Sequence, residues 1–241
     1  LQPYIVDQAV PLSRWHLAQG ERNMAVMPVS ELLRLGTARP IIRWGAPVLH
    51  APARPVTDFG SDLQDLLADM FATNIAADGA GLAAQQTGVD LAVFIYDCTD
   101  EVGAQRTGVV CNPVVDLPEG IDRQLVEYGE GCLSVPGAFT DLARPEFSTC
   151  RGLDQFGNSI EITAGGALGR CFQHETDHIN GIVFGDRLPT RKRKQLYRDH
   201  NEVSDQYAAD WPGRLGFGRP SPAPYTEHSL ELQAALKKRA E

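Results

Sequence analysis

The run Gln173-His174-Glu175-Thr176-Asp177-His178 constrains this chain more than any other stretch. Residues four apart share one face of a helix, so a helix here sets the His174 and His178 imidazoles side by side. Two such histidines can grip one metal ion, with Glu175 leaning over the ion's open coordination site, which is the layout of a hydrolase. The same short pattern also arises by chance on a solvated helix. The metal reading therefore depends on finding a third ligand, because metal-dependent hydrolases use three protein ligands and keep one position open for water.

Three candidates compete. An extended motif with a third histidine three residues after a glycine fails, since Gly181 is followed at that spacing by Phe184. A downstream carboxylate, Glu202 in Asn201-Glu202-Val203-Ser204-Asp205, would give a two-histidine, one-glutamate peptidase site, but it follows a dense basic stretch and reads as part of a solvated helix. Cys132 is the third. It lies in Glu130-Gly131-Cys132-Leu133-Ser134-Val135-Pro136-Gly137, where the preceding glycine permits close backbone approach and the Pro-Gly pair forces a turn. This places it at a strand end, where a ligand can be presented. The chain has five cysteines, an odd number without paired spacing. They read as small core residues rather than a disulfide framework, while a thiolate suits a two-histidine site.

The 241 residues, 43% of them hydrophobic, suffice for one domain with appendages. A net charge of −9 argues against general coating of nucleic acid or anionic membrane. No apolar run has bilayer length and no signal-peptide pattern opens the sequence, so a cytoplasmic protein is expected. Residues 1–38 read as an N-terminal extension, with a short amphipathic candidate at Val29 to Leu35. Residues 39–190 read as the catalytic domain, and 191–241 as a basic helix, a Pro/Gly linker over Trp211 to Pro224 and a terminal helix from Glu227 to Ala240. Asp58 to Ala77 has apolar residues at helical spacing, with Ser61 and Gln64 as a capping box. Short apolar runs at 91–96, 109–111, 124–128, 147–152 and 159–163 predict strands. The class is α+β: mixed, mainly antiparallel sheets packed around a central helix carrying the histidines. Gly165-Gly166 and Asn180-Gly181 bound that helix.

Three segments in order, Gly79-Ala80-Gly81-Leu82-Ala83-Ala84-Gln85-Gln86, Glu130 to Gly137 and His174 to His178, closely resemble the motifs of bacterial peptide deformylases, and the resemblance spans about residues 39 to 190. It implies an enzyme that removes the N-formyl group from the formylmethionine of newly synthesised polypeptides and releases formate. By the same resemblance Cys132, His174 and His178 are the metal ligands, with Fe(II) the native ion and Zn(II) or Ni(II) able to substitute. Metal-bound hydroxide would attack the formyl carbon, with Glu175 as general base and then acid, and the Gln86 amide and Leu133 N–H would meet the developing charge on oxygen. Gly81, Glu130 and Gly131 are assigned to the peptide, and Arg144 to bracing Glu130 or nearby backbone. Ala80 and Gln85 depart from the family pattern, and Ala80 is expected to remove apolar volume near the peptide cleft. The Gly79–Gly81 run lacks the Lys-Ser/Thr ending of a phosphate loop, so nucleotide binding is not expected.

The basic run Arg191 to Arg198 is expected either to be a solvated face or to contact ribosomal RNA. A zinc endopeptidase using Glu202 and a degenerate deformylase kept as a binding protein are the competing readings. Intact Cys132, Glu175 and Gln86 weigh against the second.

Overall fold

A computed structural model describes residues 27–213. The described residues form four helices, α1 (Val29–Leu32), α2 (Ser61–Ala76), α3 (Gly166–Ile179) and α4 (Thr190–Val203), and seven strands. The strands are β1 (Gly81–Ala83), β2 (Val93–Thr99), β3 (Gln105–Asp116), β4 (Leu125–Gly131), β5 (Phe139–Pro145), β6 (Ser148–Leu153) and β7 (Ser159–Ala164). A five-stranded sheet runs in the order β1-β2-β3-β6-β7, and β4-β5 is a separate hairpin. Every pairing is antiparallel. The α+β class expected from the sequence is what forms.

Alternation along β2 divides the interior. Val93 and Ile95 point to one face and pack with Leu63, Leu66, Leu67, Met70 and Phe71 of α2. Phe94, Tyr96 and Cys98 point to the other and pack with Leu168, Cys171, Phe172 and Ile179 of α3. The first four residues of β2, Val93 to Tyr96, are buried on both faces, which is why that part of the strand is a continuous apolar run. A third cluster joins Cys132, Val135, Ala138 and Leu142 to Phe184, Leu188 and Leu196 of the segment leading into and through α4. Helix α3 thus lies between the sheet and the hairpin that carries Cys132.

The structure corrects several expectations. Strands β1 and β5 were not expected; β1 is only three residues long, and β5 alternates too many polar residues to stand out. The N-cap of α2 is Gly60, with no side-chain cap. Gln64 is instead drawn into the core, where its Oε1 accepts the Met27 N–H at 3.2 Å and its Nε2 donates to the Gln155 carbonyl at 3.0 Å.

The compact body is also wider than 39–190. Met27 and Leu32 are buried in the first core cluster, and the Thr37 N–H donates to Asp69 Oδ1 at 2.7 Å. Beyond α4 the chain returns to the domain, where the Ile41 N–H donates to the Trp211 carbonyl at 2.9 Å and the Arg43 guanidinium lies over the Tyr207 and Trp211 rings. The remaining extension residues, including the expected terminal helix at 227–240, lie outside the described residues.

Candidate metal centre

Helix α3 begins after Gly165 and ends where Gly181 takes a left-handed φ of 74°, and its central turns hold His174, Glu175 and His178. Strand β4 ends at Gly131, and the turn that follows, closed by the Val135 N–H donating to the Cys132 carbonyl at 2.8 Å, turns the Cys132 thiol toward the helix. One ligand atom from each of Cys132, His174 and His178 falls within 4.8 Å of the others, and all three residues are buried. Cys132 Sγ is 3.2 Å from His178 Nε2. His174 Nδ1 is 2.8 Å from Glu130 Oε1, leaving its Nε2 for the triangle. A thiol and two imidazoles converging in a buried space form a donor set that fits a divalent transition-metal ion.

Glu130, expected to touch the peptide, is corrected to a place beneath His174. Its side chain is 4% exposed and both oxygens are taken, Oε1 by Arg144 Nη2 at 2.7 Å and by His174, Oε2 by Arg144 Nε at 2.8 Å and by Arg170 Nη1 at 2.9 Å. Burial alone would raise the Glu130 pKa, but the hydrogen bonds and charges of Arg144 and His174 outweigh it and hold the carboxyl far below the usual range. Burial would likewise lower the His174 pKa, yet its bonds to Cys132 and Glu130 raise it well above normal. His178, without a carboxylate partner, is pushed well below normal by burial and by the positive charge of its neighbours.

Glu175 is fully enclosed. Desolvation raises its pKa to about 7, and its Oε2 has no hydrogen-bond partner among the described residues. Gln86, on the short turn after β1, accepts the Ala83 N–H on Oε1 at 2.8 Å. This fixes the amide so that Nε2 points toward Cys132 Sγ at 3.6 Å and Ser134 Oγ at 3.4 Å. Leu133 follows Cys132 directly, and its side chain packs partly against the first core cluster.

Packing gives Gly81 its own reason to be glycine. A Cβ there would lie 2.6 Å from Cys171 Sγ and 2.8 Å from Glu175 Oε1, so the glycine lets β1 rest against α3. A Cβ on Gly131 would fall 2.4 Å from the Phe139 ring across the hairpin. Ala80 packs against the second core cluster, and Gln85 is buried, its Nε2 donating to the Val48 and Ala51 carbonyls at 3.1 and 2.8 Å. Glu202 is exposed on α4 and is not among the clustered ligands.

Sequence reasoning missed two partners of the site. Asp177 accepts Arg144 Nη1 at 3.0 Å and Arg187 Nη2 at 2.5 Å, tying the helix to the same arginine that holds Glu130. Arg170 is the other; its place one turn before His174 was the available signal.

A family model described as polypeptide deformylase matches residues 38–194. Peptide deformylase 1 of Streptomyces avermitilis is 51% identical over 173 residues, covering 71% of this chain and 80% of that protein. The peptide deformylase of Acidothermus cellulolyticus is 41% identical over 186 residues, covering 77% and 95%. Among solved structures, a peptide deformylase from Legionella pneumophila superposes with a TM-score of 0.63 at 39% identity, covering 70% of this chain and 96% of that one. One from Synechococcus elongatus in complex with actinonin gives 0.58 at 34% identity, covering 70% and 86%.

Proposed function

The chain belongs to the polypeptide deformylase family, a metal-dependent family acting on nascent peptides, and from that premise we propose that Cys132, His174 and His178 hold the ion while Glu175 moves the proton as the formyl group is removed from N-terminal formylmethionine. The observation that carries this reading is the convergence of one thiol and two imidazoles beside a buried carboxyl. Once bound there, a divalent ion supplies Lewis acidity and lowers the pKa of water toward neutrality. Fe(II) is the proposed native ion, with Zn(II) or Ni(II) as substitutes.

Glu175 takes a proton from water and returns it to the leaving amine. A carboxyl whose pKa burial has brought to about 7 can do both near neutral pH. The Gln86 amide, already oriented by the Ala83 N–H, and the Leu133 N–H donate to the charge that grows on the formyl oxygen. The backbones of Gly81 and Gly131 lie along the peptide. Arg144 braces Glu130, which fixes His174 in the tautomer that turns Nε2 to the ion.

The basic α4 run is a proposed ribosome contact through Arg191, Lys194 and Arg198, which are exposed. Lys192 is already paired with Glu127 at 2.9 Å. No helix among the described residues is long and apolar enough to cross a membrane, and a cytoplasmic site of action suits a substrate made on ribosomes.

The test is formate release from formyl-Met-Ala-Ser by protein prepared anaerobically with Fe(II). Activity in the parent is expected to fall by about 10²–10⁴ in Glu175→Ala with the metal retained, and to vanish with the metal in Cys132→Ser. A fully metallated parent that releases no formate would defeat the reading.

A further inference from the structure

We infer that Arg170 is a positioning residue for the metal site, acting through Glu130 on His174. The inference rests on the metal-binding reading proposed above. Arg170 lies one helical turn before His174 on α3, so the two side chains leave the same face. Its guanidinium is 17% exposed and reaches three places at once. Nη1 donates to Glu130 Oε2 at 2.9 Å and to the Leu142 carbonyl at 3.0 Å, and Nη2 donates to the Val126 carbonyl at 2.8 Å. The cation also sits 5.8 Å from the centre of the Tyr128 ring. One side chain therefore joins the helix bearing His174 and His178 to both strands of the hairpin whose connecting loop carries Cys132.

The bond to Glu130 separates this arrangement from a simple cross-link. Two carbonyl bonds would be enough to dock the hairpin on the helix. The third bond falls on the carboxylate whose other oxygen holds His174 Nδ1 at 2.8 Å. Arg144 grips Glu130 through Nε and Nη2, while Arg170 meets Oε2 through its own Nη1. The Arg144 fork sets the carboxylate plane, and Arg170 ties Oε2 to α3, so the carboxylate is held in place relative to the imidazole on the same helix. With Arg144 alone, the two-point fork remains but Oε2 keeps one donor instead of two, and the carboxylate loses the anchor that ties it to the helix bearing His174. Ligand orientation by such outer partners typically governs metal affinity by about 10–100-fold.

Charge balance indicates that the fold tolerates the loss. Around α3, Arg144, Arg170 and Arg187 face Glu130 and Asp177, three cations against two carboxylates. Removing Arg170 leaves two against two, with each carboxylate still paired to Arg144.

The experiment is a zinc dissociation constant, measured by competition with a chelating dye, for the full chain and for Arg170→Gln, Arg170→Lys, Glu130→Gln and the Arg170→Gln/Glu130→Gln double variant. Melting of each metal-free protein is followed in parallel. Arg170→Gln is expected to weaken zinc at least tenfold. Arg170→Lys, which restores a cation beside Glu130 with a poorer fork, is expected to recover most of that loss. In the Glu130→Gln background the Arg170→Gln change should alter affinity less than twofold, because the route through the carboxylate is already cut. Zinc affinity of Arg170→Gln within twofold of the parent overturns the inference and leaves the metal reading standing. An equal loss with and without Glu130, matched by lower melting of the metal-free protein, also overturns it by assigning Arg170 to a docking role. A parent chain that binds no zinc defeats the metal reading and this inference together.

Discussion

At the scale of single residues the site is governed by one buried carboxylate, Glu130, which orders two arginines and a histidine. Its folded pKa is depressed, so the stability it contributes is fully present above its unfolded value of about 4.3. That contribution is lost as pH falls toward the folded value. Metal-free parent protein should therefore lose melting temperature more steeply than Glu130→Gln as pH drops from about 5 to about 3. Parallel acid limbs in a pH series of thermal melts would contradict this. The motif was legible here: two histidines at helical spacing and a cysteine between glycine and Pro-Gly are local patterns. The bracing of Glu130 by Arg144 was expected from the family resemblance, but its bond to His174 was not, because an acid two residues before a cysteine carries no local signal of a histidine 44 residues away.

At the scale of elements, the contact of β1 with α3 depends on the missing side chain of Gly81. Gly81→Ala forces a methyl against Cys171 Sγ and Glu175, an overpacking that typically costs about 1–3 kcal/mol. In a domain of this size that is a fall in melting temperature of about 2–12 °C. Activity should fall further than stability does, since Glu175 is one of the groups displaced. Adding Cys171→Ala should return part of the melting temperature, which differential scanning calorimetry of the single and double variants will read. A glycine-rich run announces close approach in sequence, but whether the approaching partner is a peptide or a helix depends on which face of the strand is covered.

For the molecule as a whole, the last turns of α4 and the segment after it wrap the loop that presents Cys132. His200 Nδ1 is 2.8 Å from the Pro136 carbonyl, a Cβ on Gly137 would meet Val203 and Tyr207, and Trp211 closes back on Ile41. Replacing both Tyr207 and Trp211 by alanine is expected to cost about 1–3 kcal/mol in urea unfolding. It should also raise amide exchange across Cys132–Gly137. Removing the metal with a chelator should lower the melting temperature and loosen the same loop, and reloading should reverse both, because an ion bound by the folded state alone stabilises it by mass action. Unchanged exchange in this loop after chelation would count against its carrying a ligand.

The sequence by itself determined the family, the α+β class, the helix that carries His174 and His178 with its glycine boundaries, and the order of the three motifs. These rest on local spacing and turn chemistry, which act over a few residues. Only the tertiary structure decided that Glu130 lies under His174, that Arg170 and Asp177 join that network, and that residues 27–37 and 204–213 belong to the compact body. Each of those depends on bringing distant parts of the chain together. Burial then requires carboxylates such as Glu130 and Asp177 to meet cations from distant parts of the chain, because an unpaired charge is too costly to leave inside.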